Sequence, residues 1–580
     1  MFLANNGKAL ADIFVAIPGP QTKYAARELR YYLGMMTGIP FEIVEQQNPS
    51  KKLIKLEQVQ DKDLGDDGFR LTSTADGLTI RGGKRGILYG VYEVLEKLGC
   101  RFFTSKDEKI PYCEKPELPV LNQTIVPVFE YRFEDTAEIT NHQKFAVKMR
   151  INGGNIMERF GGSMKYVWFV HSMNRVIPLE KYRDTHPEYF SMRDGVRYLP
   201  ENPAYMQACL TNPDVLKIAL ENVRQALLEH PDCRLISISQ MDNQAYCCCP
   251  ECQKVDLEEG SSSGTMLRFI NAVATALKDE FPDVIFDTLA YQYTRPVAKI
   301  TKPAENVCVR LCSIECCFAH SMEQCNDSTR GVTHPDGTKS DFVTDLQNWG
   351  KVCNRMYIWD YLTCFSHYAT PHPNWHTLQP NMQFFARNHV KGVFEQSNSK
   401  IGGGPDLVEL RQYLVAKLLW DPDCDIETHM TEFLEFFYGA AAPMVREYIE
   451  TVCRKCEEDN IHVGFNDSPT ADFVSEEMLD RYDEILNRAA DAVSGDPLLG
   501  FRVQRIRFCT EYLRLKRKSM LQNTLDGKEL NDFFTRWRAY GFTRMHEWVD
   551  MDLAHYAFLK NEWRGECLLS HWADEATEYV

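Results

Sequence analysis

The sequence predicts an α/β protein: a (β/α)8 barrel of the TIM type, with an α/β accessory domain before it and an all-α domain after it. Three observations predict this. Between Val128 and Asp423, eight strand-like apolar runs alternate with amphipathic segments, the order expected of a parallel barrel. Four of these runs end in polar groups: RLISISQMDN in Asp242 and Asn243, CVRLCSIEC in Glu315, RMYIWDY in Asp360, and VKGVFEQSN in Glu395. Acids and amides at the C-terminal ends of strands mark the active face of such a barrel. Beyond residue 424 the strand pattern gives way to helical repeats.

The accessory domain is read as residues 1–124. ADIFVAI is a strand, and Gln21 to Met36 is a helix with Tyr24, Ala25, Leu29, Tyr32 and Leu33 on one side. GFRLTSTADGLTIRGG is a strand pair around an Asp-Gly turn. A helix from Lys84 to Leu98 follows the Gly82-Gly83 break, and Pro111, Pro116 and Pro119 close the domain.

The barrel is read as residues 125–423. Its strands are expected at 129–135, 147–155, 165–172, 234–243, 283–293, 306–316, 355–363 and 390–398. Amphipathic segments at 213–229, 264–280, 341–351 and 378–388 supply helices. The long, aromatic-rich stretch from Val176 to Pro213 is a loop of the kind that builds substrate sites. The all-α domain, 424–580, contains helices near 426–437, 443–460, 475–491, 500–521 and 530–560.

Bulk properties narrow the function. At 580 residues the chain has room for two to four domains. A net charge of -17 argues against a nucleic-acid partner. No apolar run approaches the roughly 18 residues needed to cross a bilayer, so no membrane partner is expected. The N-terminus has no basic stretch followed by a long apolar core, which predicts a cytoplasmic protein; a chain whose leader had been removed would read the same way. The twenty cysteines are scattered and fit buried thiols in a reducing compartment. Oligomeric state is left open, a homo-oligomer included.

Asp242, Glu315, Asp360 and Glu395 are the candidate catalytic carboxyls. Glycoside hydrolysis needs two such groups flanking the scissile bond, one protonated and one acting as base or nucleophile. Glu315 and Glu395, in apolar local sequence, are the expected acid/base pair. Trp168, Trp359, Tyr291 and Tyr293 offer rings on which the C–H faces of a sugar stack. Asn243, Gln292, Asn398, His171, His320 and His367 offer hydrogen bonds to hydroxyls. This mixture predicts an oligosaccharide or glycan partner. The histidines lack tight metal-ligand spacing, and no catalytic metal or other cofactor is expected. The run C-C-C-P-E-C, containing Cys247, Cys249 and Cys252, could hold structural zinc if a second pair came from Cys312, Cys316 or Cys317. Packed thiols, or a disulfide after export, are the other readings. The Gly402–Gly404 run lacks the GK[ST] ending of a phosphate loop and is read as a flexible or closely approached loop at the barrel mouth.

Two stretches, YAARELRYYLGMMTGIPF and GGKRGILYGVYEVLEKLGCRFF, resemble the accessory domain of family 20 hexosaminidases and family 67 α-glucuronidases. The motifs HPEYFSMRDGVR, SISQMDNQAYCCCPEC, RLCSIEC, YIWDYLTCFSHY, GVFEQSN and LRQYLVAKLLWDPD are similar to those of a bacterial family termed a domain of unknown function, DUF4838. That resemblance extends to glycoside hydrolase family 163, endo-β-N-acetylglucosaminidases acting on N-glycans. It implies a retaining, substrate-assisted cleavage of a β-linked N-acetylhexosaminide. The chain departs from family 20 in having Asp242-Asn243 where that family has adjacent Asp and Glu. The pair Asp360 and Glu395 is similar to the bases of family 67, which keeps an inverting, uronate-specific enzyme open; Arg295 or Arg310 would then hold the uronate. A non-catalytic carbohydrate-binding protein and a thiol- or metal-dependent enzyme are the further alternatives.

Overall fold

A computed structural model describes residues 1–46, 50–334, 337–522, 524 and 526–547. The chain divides into two compact units. One holds Met1–Ser163, Leu362–Gln379 and the chain from Gln396 onward; the other holds Met164–Tyr361 and Pro380–Glu395.

The first unit opens with a six-stranded mixed sheet. Its order is Asn122–Ile125, Phe69–Thr74, Gly77–Gly82, Lys52–Gln58, Ala11–Val15 and Ile43–Val44. The expected hairpin is present, with Phe69 opposite Gly82 and Thr74 opposite Gly77. Helix Pro20–Thr37 begins with proline in its first turn and stops at Gly38, whose left-handed backbone lets its N–H reach Gly34 O at 2.8 Å. It buries Ala25, Ala26, Leu29, Leu33 and Met36. The second helix, Gly86–Lys97, packs closely because of Gly90, where a Cβ would come within 2.7 Å of Ile80 Cγ2. Asp67 sits buried between Arg85 and Arg132 and accepts from Asn152 Nδ2 at 2.8 Å. Burial alone would raise its pKa, but the two guanidinium groups hold it below the usual value.

The same unit carries the helices Ile426–Tyr438, Ala442–Glu458, Glu476–Ala492, Pro497–Arg517 and Gly527–Ala539. Four agree closely with the periodicity. Of the last, expected at 530–560, the part beyond 547 lies outside the described residues. Side-chain caps explain the starts: Asp425 accepts from Thr428 N at 3.1 Å, and Asp496 accepts from Leu498 N and Leu499 N at 2.9 and 3.0 Å.

The second unit is built on a parallel sheet curled as a half-barrel. Its order is Val390–Gln396, Met356–Tyr361, Val307–Cys312, Ile285–Ala290 and Leu235–Ser237. The first four strands from the Leu235–Ser237 edge pair in parallel, with Ser237 opposite Asp287, Leu289 opposite Arg310, and Cys312 opposite Trp359. Helix Pro213–Glu229 precedes the first of these strands in sequence, and Pro250–Glu259, Ser263–Leu277 and Phe342–Gly350 fall between them.

Eight strands were expected, and two of the eight segments differ. Residues 147–155 are not a strand: Gln143–Lys148 is helical, and Gly153 then passes so near Phe133 that a Cβ there would lie 2.4 Å from Phe133 Cβ. So short an apolar run cannot by itself distinguish helix from strand. Residues 165–172 form only a parallel bridge, Tyr166 to Leu235. They still run alongside that strand, Val167 N donating to Leu235 O at 2.8 Å and Ser237 N to Trp168 O at 3.0 Å. Strand Tyr131–Glu134 belongs to the first unit.

Candidate active site

In the second unit, strand ends assemble one polar network. Asp242, exposed just beyond Leu235–Ser237, accepts from Tyr291 Oη at 2.8 Å through Oδ1. Gln292 Nε2 in turn donates to Tyr291 Oη at 2.9 Å. Burial, and then the adjacent Asp242, push the Tyr291 phenol far above its ordinary pKa, so it stays a proton donor. The loop is braced beneath. Gln240 Nε2 donates to Tyr291 O at 3.0 Å and Thr294 Oγ1 at 2.6 Å, and Gln207 Nε2 donates to Met241 O at 2.9 Å.

His171 completes this side. Its Nδ1 lies 2.9 Å from Gln240 O, and its ring lies 6.0 Å from Tyr291 and 6.1 Å from Trp359. Trp359, half-buried, stacks on Tyr361 at 6.2 Å and meets Phe394 edge-on at 5.2 Å. His171 and Gln292 both have left-handed backbones, φ 51° each. Side chains rarely adopt this conformation unless their surroundings impose it. Two buried polar atoms here, the Gln292 Oε1 acceptor and the Asn243 Nδ2 donor, have no hydrogen-bond partner among the described residues. Such atoms are costly unless something outside the chain satisfies them.

The four carboxyls occupy separate environments. Asp360 alternates with Trp359 and Tyr361 along its strand and accepts from Ser313 Oγ. Burial pushes it up to about 6, against the Ser313 hydrogen bond. The Tyr361 hydroxyl feels both Asp242 and Asp360. Glu395 is buried and, next to Phe394 in the strand, turns the other way from the Trp359 contact. Glu315 forms an ion pair with fully buried Arg295, whose Nε also donates to Asp345 at 2.8 Å. Glu315 opens instead onto a recess lined by Glu323, Asp327, Arg330 and Phe342. Arg310 is also committed, to Asp287 and to Tyr166 Oη.

Of the other sequence-predicted residues, Trp168 is half-buried, and Tyr293 stacks on Tyr246 at 4.6 Å, toward the cysteine-rich loop. His320 Nδ1 lies 3.3 Å from Cys317 Sγ. His367 and Asn398 lie in the first unit. There His367 Nδ1 is 2.7 Å from Tyr512 Oη, and burial lowers its pKa to about 3. Asn398 O accepts from Ala137 N at 3.0 Å, while its buried side-chain amide has no partner among the described residues. Gly402 and Gly404, with φ 74° and 59°, are closely approached by Thr543 and Tyr368.

Sequence reasoning passed over Gln207, Cys209 and an acidic pair in the first unit. Glu134 and Asp135 end the Tyr131–Glu134 strand, and Asp135 Oδ1 accepts from Ser397 N at 2.7 Å. Both are pushed up to about 8, Glu134 by burial and then Asp135, Asp135 by desolvation and Glu547. The signal was there, in the strand-end acids of FEYRFED.

Residues 102–450 match the family described as "Domain of unknown function (DUF4838)", and residues 6–98 match "Glycosyl hydrolase family 20, domain 2". No curated protein matches. Among solved structures, a family 138 enzyme targeting pectin rhamnogalacturonan II is 10% identical over 95% of this chain and 92% of its own, with a TM-score of 0.44. Streptomyces plicatus N-acetyl-β-hexosaminidase is 13% identical over 74% and 91%, with a TM-score of 0.42. A Clostridium perfringens family 89 glycoside hydrolase is 10% identical over 90% and 65%, with a TM-score of 0.46.

Proposed function

We propose that the chain, which belongs to the family described as a domain of unknown function (DUF4838), is a glycoside hydrolase acting on a β-linked N-acetylhexosaminide. The observation that carries this reading is the Gln292–Tyr291–Asp242 chain beside Trp359, with an unpartnered acceptor and an unpartnered donor at its edge. An aromatic wall with convergent polar atoms suits a sugar ring and its hydroxyls. The match of residues 6–98 to a family 20 domain supports the same class. A uronate is disfavoured because Arg295 and Arg310, the cations proposed for its carboxylate, are held by Glu315, Asp345 and Asp287.

In this mechanism Asp242 accepts the N–H of the substrate's acetamide and turns the acetamide oxygen toward the anomeric carbon. That oxygen forms a bond to C1 as the C1–O bond to the leaving group breaks. A protonated carboxyl group gives its proton to the departing oxygen. Water then attacks C1, the bond to the acetamide oxygen breaks, and the water proton goes to that carboxylate. Glu315 is paired with buried Arg295 and is set aside as that acid.

Turnover on aryl β-GlcNAc, β-GalNAc, β-glucoside and α-glucuronide, beside a reducing-end assay on an N-glycan, tests the reading. Release from the N-acetylated substrates or the glycan, blocked by an acetamide-derived thiazoline, is expected. Release from the α-glucuronide alone overturns it.

A further inference from the structure

Four cysteines of the second unit converge on one point. Cys209, Cys247, Cys249 and Cys252 are 3%, 8%, 5% and 1% exposed, and their sulfurs all lie within 4.8 Å of one another. Cys209 Sγ is 3.6 Å from Cys249 Sγ and 3.9 Å from Cys252 Sγ. A disulfide needs about 2.05 Å. A tetrahedron with Zn–S bonds of about 2.3 Å has edges of about 3.8 Å. Thiols that merely fill a core have no reason to turn all four sulfurs inward.

We propose that these four thiolates bind one zinc ion, which fixes the loop carrying Asp242. Cys249 is the N-cap of helix Pro250–Glu259, and Cys252 lies in its first turn. Cys247 precedes them by one intervening residue, so one short segment supplies three ligands. The fourth, Cys209, comes from the long loop before helix Pro213–Glu229. It is not Cys312, Cys316 or Cys317: Cys312 packs on Leu289 and Tyr291, and Cys317 lies against His320.

The surroundings suit a metal thiolate. Binding displaces the four thiol protons and leaves two net negative charges on the centre. The Arg197 cation lies near Cys209, Cys247 and Cys249, Met192 N donates to Cys247 Sγ at 3.4 Å, and Thr211 Oγ1 lies 3.2 Å from Cys252 Sγ. Donors of this kind orient and tune metal-bound thiolates. Cys248, within the same run, points elsewhere and accepts from Arg193 at 2.9 Å.

The consequence falls on Asp242. Gln207 brackets Met241 and Asn243 through four hydrogen bonds, and Cys209 lies two residues beyond it. Zinc joining Cys209 to Cys247–Cys252 closes a clamp on both sides of Asp242. The centre is structural: four protein ligands leave no position for water or substrate.

Elemental analysis of protein purified under reducing conditions, with zinc added and excess removed by gel filtration, tests this directly. One zinc per chain is expected in the wild type and in Cys248→Ser. In Cys209→Ser and Cys252→Ser the zinc content should fall at least about tenfold. Because a lost ligand can also prevent folding, the wild type carries the decision. Cobalt(II) in place of zinc should give the intense visible bands of a tetrahedral tetrathiolate. Chelator should speed amide exchange in 203–212 and 241–252 while leaving 307–312 unchanged. Wild-type protein that retains no zinc, or in which mass spectrometry finds disulfides among these four cysteines, overturns the proposal.

Discussion

Asp242 and Glu315 look alike in sequence: each is an acid just past an apolar strand of the same sheet. Their partners make them different. Asp242 is exposed and meets neutral donors, a phenol backed by an amide. Glu315 is bound to a fully buried guanidinium that also holds Asp345. A carboxylate answering a buried arginine has its charge fixed by the fold, because an arginine left unpaired in the interior is costly. One answering neutral donors keeps its charge available for a ligand. The partner, more than the strand end, sets the two acids apart.

Three substitutions press on this contrast. Asp242→Asn keeps the Tyr291 hydrogen bond but loses the charge that orients the acetamide; turnover on an aryl N-acetylhexosaminide should fall by about 10²-fold or more with little change in Tm. Retained turnover would break the comparison. Asp360→Asn, on the strand face away from Trp359, should change turnover less than about threefold. Its effect is on stability, because burial raises the Asp360 carboxyl to about 6. The folded state holds this proton more tightly than the unfolded chain, so rising pH between about 4 and 6 destabilises the wild type. Above that window the neutral amide should be at least as stable, readable by denaturant titration at pH 5 and 8. Glu315→Gln should change turnover less than about threefold and lower stability by about 2 kcal/mol, because Arg295 loses one of two carboxylates. A large loss of turnover at an unchanged midpoint would return Glu315 to the chemistry.

Much of the scaffold was legible because local signals agree with it. Asp425 and Asp496 announce helix starts by their side chains, and the helical period carries the rest. The strands at 285–290, 307–312, 356–361 and 390–396 are apolar runs of the length a covered parallel sheet requires. Residues 147–155 misled because Lys148 and Arg150 leave for Glu108, Glu93 and Glu96, partners far away in sequence. The site was legible as a set of residue types, not as pairings. Nothing near Glu315 announces Arg295, and nothing near the C-C-C-P-E-C run announces Cys209. Tyr291 and Gln292 could be named as sugar contacts, but that one donates to Asp242 and the other to it is a fact of the folded loop.

The left-handed backbones of His171 and Gln292 set a limit on what selection or engineering can do here. At each position glycine would relax the conformation at no steric cost, and an unbiased search for heat resistance would be drawn to it. Yet glycine deletes the imidazole beside Trp359 or the amide that backs Tyr291. Robustness and competence are therefore traded at the same two residues. A relative carrying glycine at both would have a calmer loop and an emptied wall, and its sequence would betray a lost activity before any assay.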